Sequence, residues 1–165
     1  MIEFFAIVVG VLVLVAAMFA LNEDRKAASA LGEFNENLHA TKANIERLFS
    51  RQPSYVGLDN ALAVRAKLVP SSMVMGDMDS TEITSPYGLV TVETDSSGTY
   101  GQANSHYRIT AEDVPQETCI EVATYSRTDW VDVLVGGTSI NENDPVAASG
   151  ACGGEDENEI EFIDR

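Results

Sequence analysis

Two cysteines, Cys119 and Cys152, have the clearest chemistry in the sequence, and both lie in the C-terminal third of the chain. Two thiols can form one disulfide, which would place the folded part in an oxidising compartment such as a periplasm or the cell exterior. Two free buried thiols are the alternative. If the bond forms without strain, closing the loop between them stabilises the fold by about 4 kcal/mol.

The other reactive side chains form no catalytic or metal-binding pattern. His39 falls in a helical pattern and His106 in a strand pattern, and neither has a partner at metal-ligand spacing, so we expect both to be structural. No serine lies in a Gly-x-Ser-x-Gly turn, and neither cysteine has a nearby histidine. No glycine-rich phosphate loop occurs. The sequence therefore disfavours an enzyme and predicts no catalytic residue, metal or cofactor.

Acidic side chains are densest at the C-terminal end. From Asn141 onward the chain has eight acidic residues and one basic residue, Arg165. Carboxylates can bind calcium, but the spacing within residues 155–158 matches no known calcium loop. We expect this segment to be solvated surface.

The overall composition requires the apolar residues to be concentrated in one region. The chain has 165 residues, a net charge of −16 and 45% hydrophobic residues. This length suits one domain. So strong a negative charge repels phosphate, and no nucleic-acid binding is expected.

The apolar residues are concentrated at the N-terminus. Residues 4–21 contain no charge and no proline, and as a helix they would be roughly 27 Å long, enough to span a bilayer. Only Met1, Ile2 and Glu3 precede them, without the basic residues of a secretory signal. This abrupt start suggests that a leader has already been removed.

A second apolar pattern follows at helical spacing. It predicts that the helix continues to about Arg51, before Pro53, with one stripe packed on a folded head. The stripe consists of Leu31, Phe34, Leu38, Ile45, Leu48 and Phe49. We therefore predict a helix over residues 1–52, with 1–24 in membrane or filament core and 25–52 on the head, which comprises residues 53–165. A separate juxtamembrane helix after an ordinary anchor is the alternative.

The head shows mainly strand patterns. Alternating residues separated by turn sequences predict strands at 88–93, 105–110, 130–135 and 159–163. Residues 58–68 predict a short helix. Residues 115–125 fit a helix, and a strand at 119–124 is nearly as plausible. The pattern indicates an α+β fold whose antiparallel sheet has one solvent-exposed face.

These features together resemble a type IV pilin, and in particular the major pilins of the type IVb class of conjugative plasmids and enterobacteria. Residues 55–58 (YVGL) and 66–73 (AKLVPSSM) resemble the second helix of this family and the step after it. Residues 85–88 (SPYG) resemble the entry to its first strand. Val114 and Pro115 before Cys119, and the segment after Cys152, resemble the ends of its disulfide-bounded region.

The resemblance implies the pilin fold: a long N-terminal helix packed on an antiparallel sheet, with a C-terminal disulfide between Cys119 and Cys152. It also implies cleavage by a prepilin peptidase, residence in the inner membrane with the head in the periplasm, and extraction by an assembly machine into a surface filament. The filament would be a homopolymer whose core is the bundled N-terminal helices. The residues expected in that core are Met1, Glu3, Phe4, Phe5, Ile7, Val8, Val11, Leu12, Leu14, Val15 and Phe19.

Glu3 departs from the family pattern, which has glutamate at the fifth mature position. The shift of two residues changes its axial height by roughly 3 Å. A carboxylate buried in a helix bundle is costly unless it is paired, so we expect a charge pair between subunits. A position at the membrane interface is the alternative.

The sequence thus favours the major subunit of a type IVb-like pilus that serves conjugation, adhesion or cell-cell contact. A minor pilin or a pseudopilin is the alternative within the family. Outside it, the alternative is an anchored periplasmic binding domain that does not polymerise.

Overall fold

A single long helix dominates the structure, a computed structural model that describes residues 2–76, 80–140, 144–154 and 157–165. Side chains are described from residue 25 onward within these ranges, except at 126–127. Helix α1 spans Ile2–Phe49, a length of roughly 72 Å. It ends two residues before the predicted Arg51, where the backbone N–H of Gln52 donates to the carbonyl of Phe49 at 2.8 Å.

A short helix, α2, follows at Asn60–Arg65. It starts later than the predicted 58–68, because Asp59 caps it by accepting a 2.7 Å hydrogen bond from the backbone N–H of Leu62, and it ends earlier, at Arg65, before Lys67 with its φ of 54°. A single 3-10 turn at Ser71–Met73 leads to the sheet.

Six strands form one antiparallel sheet in the order β1-β2-β3-β6-β4-β5. The strands are β1 (Ile83–Thr84), β2 (Leu89–Asp95), β3 (His106–Val114), β4 (Asp132–Val135), β5 (Thr138–Ser139) and β6 (Asn158–Asp164). The four predicted strands correspond to β2, β3, β4 and β6. The C-terminal strand β6 lies between β3 and β4, in the interior of the sheet.

One face of the sheet is the hydrophobic core. Val92, Ile109, Phe162 and Val133 lie side by side across four strands, and each is at most 1% exposed. Their alternation with polar residues is the period-two pattern read from the sequence. Helix α1 covers this face.

The opposite face is polar and, as predicted, has exposed positions such as Glu93 and Glu159, but part of it is covered. Ile163 on this face is completely buried, and Asp132 beside it is 6% exposed. The β2–β3 loop crosses this face, since the hydroxyl of Tyr100 donates to Asp132 at 2.7 Å and its ring lies 5.9 Å from that of His106.

Two further helices complete the head. Helix α3 spans Gln116–Tyr125, so the helical interpretation of this segment is confirmed over the strand. A 3-10 turn at Ser126–Asp129 follows. Helix α4, at Pro145–Ala151, was not predicted, although Asp144 at its cap and Pro145 in its first turn are the usual signals for a helix start.

In the part of the chain with described side chains, no helix contains a stretch long and apolar enough to cross a membrane. The predicted anchor at residues 4–21 lies outside that part.

Candidate functional site

The disulfide joins the two short helices of the head. The sulfur atoms of Cys119 and Cys152 are 2.05 Å apart, and their Cα atoms are 6.0 Å apart. Cys119 lies on α3 and Cys152 caps the end of α4, and both are buried. The predicted disulfide is therefore present, and it tethers the C-terminal region to α3.

The second half of α1 packs on the core face of the sheet. Phe34, Leu38, Ile45 and Phe49 are at most 5% exposed. The ring of Phe34 lies 5.6 Å from Tyr87 and 6.3 Å from Phe162, centroid to centroid. These four residues lie on one side of a helix, and they attach α1 to the head through buried apolar surface.

Two residues of the predicted stripe are placed differently. Leu31 is only partly buried against the core, and Leu48 is 42% exposed. The inclusion of Leu48 was wrong, because consecutive residues are about 100° apart around a helix and Phe49 occupies the inward position.

Polar residues on α1 also face the head, and they were not among the predicted contacts. Thr41 is 1% exposed and donates its hydroxyl to the carbonyl of Asn37 at 2.8 Å. Asn44 donates its side-chain amide to the carbonyl of Leu68 at 2.9 Å. The seven-residue gap between Leu38 and Ile45 could have indicated that Thr41 faces the head, because Thr41 lies in this gap at helical spacing.

Lys42 is the most highly connected polar residue on this face of α1. Its ammonium forms an ion pair with Asp164 of β6 and donates to the carbonyl of Asp129. It also lies 3.7 Å from Glu46 and 4.7 Å from the ring centroid of Trp130. One lysine therefore connects the helix to the last strand and to the segment before β4.

Three aromatic rings close the C-terminal end of this interface. Tyr55 lies 5.0 Å from Phe49 and 4.9 Å from Tyr107, centroid to centroid. Burial raises the pKa of Tyr107 above its ordinary value, and the negative charges of Asp164 and Glu46 raise it further. Tyr107 is therefore a neutral packing residue at physiological pH.

A second charge cluster lies on the opposite face of the sheet. The guanidinium of Arg108 is 2.9 Å from Glu161, 3.4 Å from Asp95 and 3.9 Å from Glu93. Burial raises the pKa of Glu161, while Arg108 lowers it. The expectation that the acidic tail is solvated surface was wrong for Glu161 and Asp164, which are 8% and 7% exposed and lie opposite cations.

The histidines do not come together. His39 is partly exposed, with its Nε2 3.9 Å from Asp129, and His106 is buried, with its Nδ1 2.9 Å from the hydroxyl of Ser105. Among the residues that the structure describes, no group of three or more His, Cys, Asp or Glu side chains could hold a metal ion.

Two sets of predicted residues lie partly or wholly outside the described part of the chain. In the acidic segment 155–158, these are residues 155 and 156. The predicted filament-core residues, from Met1 to Phe19, also lie outside the described side chains.

The sequence itself shows the family. The sequence model for the PilS N-terminal region matches residues 28–164, most of the chain. The chain belongs to the PilS family. The match covers the head and the part of α1 that packs on it.

Solved structures share the PilS-family fold. A crystal structure of a type IVb pilin from Salmonella typhi is 20% identical, with a TM-score of 0.63 over 79% of this chain and 97% of that one. A crystal structure of TcpA, a type IV pilin from the Vibrio cholerae El Tor biotype, is 12% identical, with a TM-score of 0.54 over 83% and 99%. An NMR structure of the type IVb pilin PilS from Salmonella typhi is 20% identical, with a TM-score of 0.50 over 81% and 94%. No curated protein matches the chain in sequence.

The PilS-family assignment and the fold together confirm the resemblance to class b of the type IV pilins. A long N-terminal helix, an antiparallel sheet and the disulfide are the elements that this PilS-family chain shares with the predicted pilin fold.

Proposed function

We propose that this chain is the major structural subunit of a type IVb-like pilus and polymerises through its N-terminal helix. The observation that carries the proposal is the point along α1 at which burial against the head begins. Buried residues begin at Phe34, with Leu31 partly covered, whereas residues 25–29 are exposed. The uncharged run at residues 4–21 therefore needs another apolar partner, and copies of the same helix provide one.

The proposed domain division follows from this. Residues 1–24 serve as membrane anchor and filament core, residues 25–52 attach to the head, and residues 53–165 form the head that the filament exposes. Before assembly, the subunit would be cleaved by a prepilin peptidase and held in the inner membrane. The disulfide supports a periplasmic position for the head, because such bonds persist in oxidising compartments.

The filament would contact its surroundings through an acidic head, in conjugation, adhesion or cell-cell contact. Proteins of the pilin class act as building blocks, so the proposal assigns no catalytic step and no cofactor. Nucleic-acid binding is not expected for a chain with a net charge of −16.

Filament imaging tests the proposal. Cells that express the chain should carry surface filaments, and cells that lack it should not, with the chain as the main protein in the sheared filament fraction. A scarce chain in that fraction would favour a minor pilin or pseudopilin. If an unrelated apolar helix replaces residues 4–21 without loss of function, the chain is an anchored binding domain.

Within the filament, we propose that Glu3 forms a charge pair with a neighbouring subunit. A carboxylate inside a bundle of apolar helices is costly unless it is paired. The Glu3→Gln variant should therefore assemble poorly while remaining normal in abundance in the membrane fraction. Normal filament yield from this variant would place Glu3 at the membrane interface instead.

A further inference from the structure

An open groove runs between α1 and α3 where α1 emerges from the head. Its volume is about 520 Å³. Gly32 lies on the α1 side, and a Cβ added there would meet no atom within 4 Å. The groove is lined by Ala27, Ala28, Leu31, Gly32 and Asn35 of α1 and by Glu117, Thr118 and Glu121 of α3.

The two walls of the groove differ in chemistry. The α1 wall consists mainly of small or apolar side chains, which allow another chain to approach closely. The α3 wall carries Glu117 and Glu121, one helical turn apart and exposed. Neither carboxylate has an ion-pair partner among the described side chains. The groove thus combines a close-approach surface with a negative edge.

The complementary charge lies on the same helix. Arg25 and Lys26 are exposed, and neither has a carboxylate partner in the part of the chain with described side chains. The chain has only ten basic residues against 26 acidic ones, and Lys42 and Arg108 already bind carboxylates of their own head. Arg25 and Lys26 are therefore exposed cations next to the α1 wall of the groove, without an ion pair among the described side chains.

Within their own chain these cations flank the end of the groove next to Ala27, but among the described side chains they form no ion pair with Glu117 or Glu121. Arg25 precedes Gly32 by seven residues, which is about 10 Å along the helix axis. A second copy whose α1 runs parallel and is displaced by about 10 Å toward the head would bring its Arg25 level with Gly32. Its two cations would then lie beside Glu117 and Glu121.

We propose that the α1–α3 groove receives the α1 of a second copy of this chain, with Arg25 and Lys26 of that copy paired with Glu117 and Glu121. This proposal rests on the proposed polymerisation, and it specifies a contact between α1 of one subunit and the head of its neighbour. Charge complementarity sets the register between subunits. The small residues of the groove allow the two helices to approach.

Cross-linking in assembled filaments tests the contact directly. Both native cysteines are in the disulfide, so a disulfide between two subunits would come from the introduced cysteines. Cells would co-express a chain with Arg25→Cys or Lys26→Cys and a chain with Glu121→Cys. We expect a disulfide-linked dimer in sheared filaments for at least one pair, reversed by reductant. Each variant expressed alone, and Lys26→Cys with Glu82→Cys on the exposed edge near β1, should give none.

Charge reversal tests the energetic role. Glu117→Lys with Glu121→Lys should lower filament yield by about tenfold or more, because like charges across an interface are strongly unfavourable. Adding Arg25→Glu and Lys26→Glu to the same chain should restore most of the yield. The matched control, Glu82→Lys with Glu157→Lys, makes the same change in net charge on the exposed head and should assemble normally.

The outcomes separate this inference from the proposed function. If the wild-type chain forms no filaments, polymerisation itself is wrong. If it forms filaments but neither cysteine pair links and the reversed chain assembles at wild-type yield, the groove is not the contact. Restored yield together with the cross-link would establish the proposed register.

Discussion

Lys42 of α1 and Asp164 of β6 form an ion pair across the interface between the long helix and the sheet. Their side chains are 19% and 10% exposed, so water screens the pair only weakly. Lys42 also lies over the ring of Trp130, a cation-π arrangement. The last strand of the chain is thereby attached to the helix that carries the head.

Removal of Lys42 should destabilise the head. Lys42→Met leaves Asp164 buried without its cation, and we expect a loss of about 2–4 kcal/mol in the free energy of unfolding. Urea unfolding of the full chain in detergent measures it. The double variant with Asp164→Asn should lose less than the sum of the two single variants. Additive losses would show that the two residues act independently.

The disulfide should contribute substantially to stability. Replacing Cys119 and Cys152 together with alanine opens a loop whose ends are 33 residues apart in sequence. The loss of loop constraint in the unfolded state predicts a decrease of about 4 kcal/mol. The urea midpoint of the wild type should fall similarly on adding reductant, while that of the variant should not respond. An unchanged midpoint in the wild type would contradict the prediction.

Glu161 should make the fold less stable as pH rises. Burial, the largest cause, raises its pKa above the ordinary 4.5, so the folded state binds this proton more tightly than the unfolded state. Its contribution is therefore most favourable below about pH 4.5 and declines as pH rises through the raised pKa. The Glu161→Gln variant should show a flatter dependence of unfolding free energy on pH above 4.5.

Two variants serve as comparisons for Glu161. Arg108→Met removes the cation that lowers the pKa of Glu161, and the decline with pH should then extend to higher pH. Glu159→Gln, at an exposed position on the same strand, removes a neighbouring negative charge that also raises the pKa of Glu161, and it should reduce the pH dependence less than Glu161→Gln does. If Glu161→Gln and Glu159→Gln behave alike, the buried carboxyl is not the cause.

Gly88 should not tolerate a side chain. A Cβ at this position would lie 2.6 Å from the carbonyl oxygen of Glu112 and 2.8 Å from the Cβ of Asp113. Asp113 is itself in the left-handed region, with φ of 57°, where β3 is irregular. Gly88→Ala should cost about 1–3 kcal/mol in thermal unfolding. Gly150→Ala in α4, where a Cβ meets nothing within 4 Å, should be neutral or slightly stabilising.

Local sequence patterns were enough to predict the long helix and four of the strands. The absence of proline before Pro53 allows a long helix, and period-two alternation indicates strands. Both signals depend only on residues that are close together in sequence. With two cysteines only one intrachain pair is possible, so the sequence identified the partners of a disulfide, and the structure shows that the bond forms. The order of motifs along the head indicated the type IVb pilin family, which the family match confirms.

Tertiary structure alone decided the position of β6 and the partners of the buried charges. β6 lies between β3 and β4, a placement that depends on pairing between residues far apart in sequence. The sequence shows Lys42, Arg108, Glu161 and Asp164 as ordinary charged residues. Each cation meets its carboxylate only in the folded chain. The opposite charge that a distant segment supplies is what makes burial of these charges tolerable.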